Sequence, residues 1–434
     1  MSTPSLLNIP YLYKAGTLYS QIPESGAGDF TVQRTTTVAN RSTRINKDGL
    51  IETVLDNVPR LDYPLGGAVN GCPALLVEPS ARNDCFQSQG FSTSPWIAAG
   101  VSAVSTALTN SPDGTQNAFD VTISNTGFSN LRQTIACANN TTYTISCFYK
   151  NKALTAGQTF EMRYTNENIA PNNLNAIATI DLAAGTASYN LTGTAGTGFS
   201  GTATGRVENY GNGWYRISMT FTTGSAGANA SGIFRPVVGI SIARNFFAWG
   251  AQMETSSVPT SYIPTTTAAV TRSGDLISDT TATALIGQTE GTVYLEMQAD
   301  AAGTGQNFLY VGNNASDSIV IGKSGVNCFF EFRVNGTPLI SQNVALSGTV
   351  IKGAIAYANG NYAAYANGNL LASGTTSRTP ANALTAIAFS NFINLPTINA
   401  ASAIMRVRAF ELHPNRIPNT AAPGVLSLAT LTAP

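Results

Sequence analysis

Gly211-Asn212-Gly213-Trp214-Tyr215-Arg216-Ile217-Ser218-Met219-Thr220-Phe221 begins the stretch, Asn209 to Thr265, whose reading decides the fold. It ends with Phe247-Ala248-Trp249-Gly250-Ala251-Gln252-Met253-Glu254 and then Pro259-Thr260-Ser261-Tyr262-Ile263-Pro264-Thr265. Tyr215, Ile217, Met219 and Phe221 fall on one side of an extended chain, and Trp214, Arg216, Ser218 and Thr220 on the other. That alternation has the period of a strand with one face in a core. The Asn-Gly pair before it predicts a tight hairpin turn. The stretch reads as the closing strands of a β-sandwich.

The same pattern spreads outward. Asn117–Ile123 alternates, as does Thr142–Lys150 with Tyr143, Ile145, Cys147 and Tyr149 on one face, and Phe160–Tyr164 follows. Clusters of Gly, Asn and Thr separate these runs at the spacing of an all-β sandwich. A second series starts at Gly291-Thr292-Val293-Tyr294-Leu295-Glu296-Met297. It continues through Phe308–Gly312, Ser318–Gly322 and Phe329–Val334 and closes with Ile404–Leu412. Asn359-Gly360 and Asn367-Gly368 predict hairpin turns within it. The expected fold class is all-β, with two β-sandwich domains in tandem behind an extended N-terminal segment. The expected divisions are 1–72, an anchoring and oligomerisation segment; 73–265, the first sandwich; 266–285, a polar linker; 286–418, the second sandwich; and 419–434, a tail with no core of its own.

Composition narrows the function. Of 434 residues only 11% are charged, against roughly 25% in an average soluble protein. The surface must therefore be made of Ser, Thr, Asn and Gly, which suits exposed β proteins that touch glycans. Lys plus Arg equals Asp plus Glu at 23 each, and no basic cluster fits a phosphate backbone, so nucleic acid is not an expected partner. The five cysteines, Cys72, Cys85, Cys137, Cys147 and Cys328, lack metal-site spacing and read as free thiols. The N-terminus lacks the pattern of a secretory signal. No apolar run reaches the ~18 residues of a membrane span, so insertion is not expected. Synthesis in a reducing cytoplasm followed by an exposed working life fits both observations.

Residues 1–72 are irregular and rich in aromatics. Pro59 keeps Val58-Pro59-Arg60 extended. Tyr11, Tyr13, Tyr19, Phe30 and Tyr63 need a surface to bury against, and with Arg60 they are the candidate anchoring residues. The following domain, another subunit or another component of a larger particle could supply that surface, and the last two are the expected ones.

Little points to catalysis. The single histidine, His413, has no nucleophile motif near it and reads as structural. No GxSxG, P-loop, HExxH or dinucleotide fingerprint occurs. A glycosidase needs two flanking carboxylates, and Glu161, Glu208, Glu254, Glu296, Glu331 and Asp120 are available. On strands this poor in charge they read instead as partners for Arg163, Arg206, Arg216 or Arg333. Glu254 reads as a local charge that orders the loop before Tyr262. No catalytic residue and no resident metal or cofactor is expected. Asp113-Gly114 with Asp300, or Asn313, Asn314 and Asp317, offer oxygen atoms of the kind calcium takes, without a ligand loop of defined spacing. For glycan binding the useful groups are rings that stack on sugar faces. Trp214, Trp96, Tyr210, Tyr362 and Tyr365 are the candidates, with Trp249 and Tyr164 behind them. Trp214 leads because it lies opposite the core face of its strand.

The motifs also carry a resemblance. Lys14–Ser20, Gly28-Asp29-Phe30-Thr31-Val32-Gln33-Arg34, Thr43–Asn46, Gly49–Glu52 and Pro59-Arg60-Leu61-Asp62-Tyr63 look like the opening of phage fibre and tail-associated proteins. Leu75-Leu76-Val77-Glu78-Pro79-Ser80-Ala81-Arg82-Asn83 matches an element that follows in that family, with Asp84-Cys85-Phe86 departing from it. Ser88–Phe91 with Trp96, then Gly213–Arg216, Trp249–Glu254 and Thr260–Thr265, resemble its carbohydrate-binding-module-like jelly roll. Ala268–Asp275 is also typical after that module. The second series is similar to a laminin G or concanavalin-like sandwich. The resemblance implies a bacteriophage virion structural protein, a head or tail fibre or decoration protein, assembled in the bacterial cytoplasm. It implies a homotrimer, attached to other capsid or tail proteins through residues 1–72, that holds host-surface polysaccharide weakly and relies on avidity. The alternatives are a capsule depolymerase, although large phage depolymerases resemble repetitive β-helices and no solenoid period occurs here, and a purely structural decoration protein.

Overall fold

The computed structural model describes residues 3–39, 41–65, 71–105, 108–123, 129–166, 174–192, 198–225, 230–238, 244–299, 302–346, 350–378, 380–390, 393–394, 397–398, 402–420 and 425–434. These residues fold as antiparallel sheets that make two sandwiches. In the first, one six-stranded sheet runs Ile97–Ala99, Ser129–Cys137, Ala230–Val238, Phe160–Asn166, Leu174–Asp181 and Thr186–Thr192. The facing sheet runs Val101–Ser105, Phe119–Ile123, Arg244–Glu254, Thr142–Asn151, Trp214–Thr223 and Phe199–Gly211. The two alternating runs noted in the sequence are hydrogen-bonded neighbours, with Tyr143 opposite Phe221, Ile145 opposite Met219 and Cys147 opposite Ile217. Rings join the sheets: Phe160 stacks on Phe246 at 4.2 Å and Tyr164 on Phe221 at 4.7 Å. Asn212 and Gly213 both have positive φ, 51° and 79°, as the predicted tight turn demands.

The Trp214–Thr223 strand is not half-exposed. Its second face is buried as well, at Trp214 (2%), Arg216 and Ser218. The reason lies far away in sequence. Ile45 and Ile51, from the hairpin Ser42–Ile45/Ile51–Val54, pack with Trp214, Phe148, Phe247, Trp249 and Tyr262. A local alternation shows one apolar face, but it does not show what later covers the other.

The second sandwich recruits the N-terminal segment. Its nine-stranded sheet runs Tyr13–Lys14, Thr17–Leu18, Phe30–Gln33, Leu276–Asp279, Ala386–Ser390, Gln306–Gly312, Ser318–Ser324, Asn327–Val334 and Thr337–Ala345. The facing sheet runs Asn369–Gly374, Asn361–Ala366, Val350–Ala358, Glu290–Ala299, Met405–His413, Ala74–Val77 and Leu61–Asp62, and Leu6–Asn8 also pairs with Met405–His413. Phe30 and Val32 point inward and Thr31 and Gln33 outward. Phe30 meets Phe410 edge-on at 5.2 Å. Leu6, Leu18, Phe30, Val32 and Leu61 belong to the same core as Leu295, Leu309, Phe389 and Phe410.

Three expected divisions are therefore corrected. Residues 1–72 do not form a free anchoring arm, because Leu6, Leu18, Phe30, Val32 and Leu61 complete the core of the second sandwich and Ile45 and Ile51 cover the first. Residues 74–77, expected in the first sandwich, are a strand of the second. The expected linker 266–285 holds the strands Val270–Arg272 and Leu276–Asp279, the latter lying between Phe30–Gln33 and Ala386–Ser390. The tail also has a packing partner. The helix Leu428–Leu431, capped by Ser427, buries Leu428 against Tyr294, Tyr365 and Ile417.

Candidate functional site

The sandwiches meet at a buried ionic junction. Arg60 Nη1 donates to Glu78 Oε2 at 2.6 Å and to Ser261 Oγ at 2.7 Å, and its Nη2 donates to Asp275. Arg34 gives Nη1 to Asp275 Oδ1 at 3.1 Å, Nε to Ser42 Oγ at 2.9 Å and Nη2 to the Leu55 carbonyl at 2.9 Å. Arg272 donates to Glu78 and to the Pro79 carbonyl. Glu78 also accepts from Ser261 N–H at 2.9 Å, and Asp275 accepts from Glu78 N–H at 2.9 Å. All five charged side chains are at most 2% exposed. Burial alone would raise both carboxyl pKa values, but the guanidinium groups prevail: Arg272 and Arg60 hold Glu78 far below the usual carboxylate range, and Arg60 and Arg34 hold Asp275 down. Burial lowers Arg34 to about 10 despite Asp275.

Two further hydrogen-bonding hubs adjoin it. Asn83 donates to the carbonyls of Ala251 and Ile263 and accepts from the N–H groups of Cys85 and Met253. Glu254 accepts from Gln252, Thr260 N–H and Thr260 Oγ1. Burial pushes its carboxyl up even though Arg216 opposes this. Glu254 thus orders the loop leading to Tyr262, the role its position suggests in the sequence. Of the motif residues, Arg60, Glu78, Arg272 and Asp275 form the junction, and Asn83 and Glu254 order the strand and loop beside it.

Above the junction lies a cleft of about 190 Å³. Three parts of the chain line it. The N-terminal segment gives Thr43, Arg44, Ile45, Ile51 and Asp62; the first sandwich gives Arg206, Glu208, Tyr210, Arg216 and the loop 256–262; the second gives Gln298, Gly303, Lys323 and Arg406. The sandwiches approach closely here, since a Cβ on Gly303 would lie 3.2 Å from Ser257 Oγ and 3.6 Å from Val258 Cγ1. Arg206, Glu208 and Tyr210 share a face of the strand Phe199–Gly211, and Glu208 sits opposite Arg216 on the next strand. The lining carries the cations Arg44, Arg206, Arg216, Lys323 and Arg406 against the carboxylates Asp62, Glu78 and Glu208. Sequence reading saw Arg206 and Glu208 only as a local charge pair. The signal that places them with Tyr210 is their i, i+2 spacing on one strand.

The candidate stacking residues are not brought together. Trp214 is buried and donates Nε1 to the Asn110 carbonyl at 2.8 Å, which corrects the expectation of an exposed platform. Trp96 packs edge-on against Phe91 at 4.9 Å. Trp249 donates Nε1 to Asn117 Oδ1 at 2.7 Å. Tyr164 is a core ring. Tyr362 lies in the core of the second sandwich and Tyr365 beneath the C-terminal helix. Tyr210 alone of the set lines the cleft, half-buried, with Phe148 edge-on at 4.9 Å.

Among the candidate anchoring residues, Phe30 and Arg60 are buried within the chain, which removes them from any external contact. Tyr63 is half-buried against the Trp214 cluster. Tyr13 accepts from Arg44 at 3.1 Å, and Tyr19 lies beneath the Lys14 ammonium. Tyr11 is 52% exposed.

Most of the remaining polar candidates have local partners, whereas Asn313 Oδ1 is buried with no hydrogen-bond partner among the described residues. Asp113 accepts from Ser111 and Thr115, Asn314 from Ser316 and Asp317 N–H groups, and Asp317 from Asn335 N–H. Asp300 lies outside the described residues. His413 is buried with Nε2 2.9 Å from Glu411. Glu161 pairs with Arg163, Glu331 with Arg333 and Asp120 with Lys152. Tyr294 Oη lies 3.4 Å from Glu296.

Fold and site thus define a two-sandwich all-β protein with a polar cleft at the sandwich junction. No family model matches the chain, and no curated protein matches it. Among solved structures, the CBM40 of Ruminococcus gnavus IT-sialidase aligns at 13% identity over 34% of this chain and 85% of that one, with a TM-score of 0.28. The NanB sialidase of Streptococcus pneumoniae aligns at 14% identity over 35% of this chain and 26% of that one, with a TM-score of 0.28. The binding domain of Botulinum neurotoxin DC aligns at 14% identity over 37% and 39%, with a TM-score of 0.28. Likenesses this slight transfer no ligand or activity.

Proposed function

We propose that the chain is a bacteriophage virion structural protein, a head or tail fibre or decoration protein, that holds host-surface glycans and does not cut them. One observation carries the reading. Four residues of the phage-fibre resemblance, Arg60, Glu78, Arg272 and Asp275, drawn from three of its separate motifs, close on a single buried junction. Matches scattered by chance over that length have no reason to meet in space. The resemblance is thus to one architecture, with the N-terminal segment built into it.

The low charge of the chain supports an exposed, glycan-facing surface. Pairing of Glu161, Glu331 and Asp120 with nearby cations favours holding over hydrolysis. Virion copies arranged as trimers would make weak sites effective through avidity. Because Phe30 and Arg60 are committed within the chain, attachment to the particle falls to exposed groups such as Tyr11.

Mass spectrometry of purified particles together with light scattering of the isolated protein tests this. The protein is expected in the particle and as a trimer in solution. A monomer absent from particles would overturn the reading.

A further inference from the structure

We infer that the cleft between the sandwiches is the glycan site, and that it takes a single sugar ring bearing an anionic group. The inference rests on the glycan-holding reading above and assigns it a place. Its volume of about 190 Å³ lies below the roughly 300–1,000 Å³ of a site for a drug-sized ligand. One ring fits such a space, and a polymer would enter by its end or a side branch.

The chemistry of the walls sets the class. Cations outnumber carboxylates in the lining, and still do when Glu78, committed to Arg60 and Arg272, and Arg44, paired with Glu52, are both set aside. Arg406 spends only Nε on Asp62, at 2.8 Å, and its side chain is 40% exposed. Its Nη groups make no protein hydrogen bond among the described residues, so a planar fork remains for a carboxylate. Glu208 Oε2 is buried without a hydrogen-bond partner, and so is Nε of Arg216 opposite it. Buried polar atoms of this kind are costly unless something satisfies them. A hydroxyl both donates and accepts, and so answers both with small side-chain shifts. Tyr210 supplies a half-buried ring beside them. The exposed Ser257 marks the rim, because the loop carrying it meets Gly303 of the other sandwich.

The site is incomplete in either sandwich alone, which gives the tandem arrangement a purpose. Isothermal titration of the full chain with trigalacturonic acid and with its methyl ester tests the inference. The ester keeps the shape and removes the charge. The acid is expected to bind at least tenfold more tightly than the ester. Ser257→Trp, which blocks the rim, and Arg206→Gln, which removes one lining cation, should each weaken binding at least tenfold, with melting temperatures unchanged.

Equal binding of acid and ester would overturn the anionic assignment, and wild-type affinity in both variants would overturn the location. Retention on host polysaccharide separates the two readings. If the wild type and both variants are retained alike, the cleft assignment falls and glycan holding stands. If the wild type holds neither polysaccharide nor trimer, glycan holding falls and the inference falls with it.

Discussion

Arg60 donates to the carboxylate of Asp275, 215 positions further along the chain, and neither side chain reaches solvent. Arg60 precedes the first sandwich and Asp275 follows it, so the contact closes that sandwich at its base. Glu78 makes the same closure with Arg272. The chain leaves the second sandwich, builds the first and returns through this pair of contacts.

Glu78→Gln would leave three guanidinium groups facing one buried carboxylate. Removing one partner of a buried ion pair costs about 3–5 kcal/mol. Urea unfolding should show a loss of that size, with both sandwiches affected because both pack on the junction. Glu254→Gln is the contrast, since burial already opposes its charge and an amide oxygen can still accept from Thr260. A loss under about 1 kcal/mol is expected there. Equal losses at the two positions would contradict the difference drawn between them.

The same carboxylates give a pH signature. The folded pKa values of Glu78 and Asp275 are depressed, so their stabilisation is fully present above the unfolded values of about 4 and is lost as pH falls through the lower folded values. The stability gap between wild type and Glu78→Gln should therefore be constant from pH 7 to about pH 5 and should shrink below about pH 4. Chemical denaturation at stepped pH reads this directly. A gap that widened in acid would have the wrong sign.

Trp214→Ala separates packing from recognition. Trp214 is 2% exposed and anchors the cluster with Phe148 and Ile45. Its truncation should cost about 3–5 kcal/mol, the range for large aromatic side chains in cores. Little loss of stability with complete loss of glycan retention would restore it as a platform.

Thiol titration checks the packing of both sandwiches. Cys72 is exposed, whereas Cys85, Cys137, Cys147 and Cys328 are buried. Burial raises all four buried thiols, Cys137 and Cys147 to about 12. One thiol should react promptly at pH 8 in the native protein, and the other four only after unfolding.

The strands were legible because alternation is a local signal. Tyr143–Tyr149 and Tyr215–Phe221 even turned out to be paired neighbours. The cover was not legible. Nothing near Trp214 announces that Ile45 will lie on it, and Phe30 looked like an anchor because its partner, Phe410, is 380 positions away by the numbering. Arg60 misled in another way. A charged residue in an extended segment reads as surface, and only the carboxylates of Glu78 and Asp275 make its burial tolerable. Of the cleft, Tyr210 was legible as a ring available to a sugar, but the cations around it come from three separate regions.

The most direct test of glycan holding mixes the protein with purified host-surface polysaccharide and follows both by size-exclusion chromatography with light scattering. The account predicts that the protein co-elutes with polysaccharide whose chain length does not change over hours. Shortening of the polysaccharide would identify a depolymerase, and separate elution of the two would leave a structural decoration protein; either result contradicts the account.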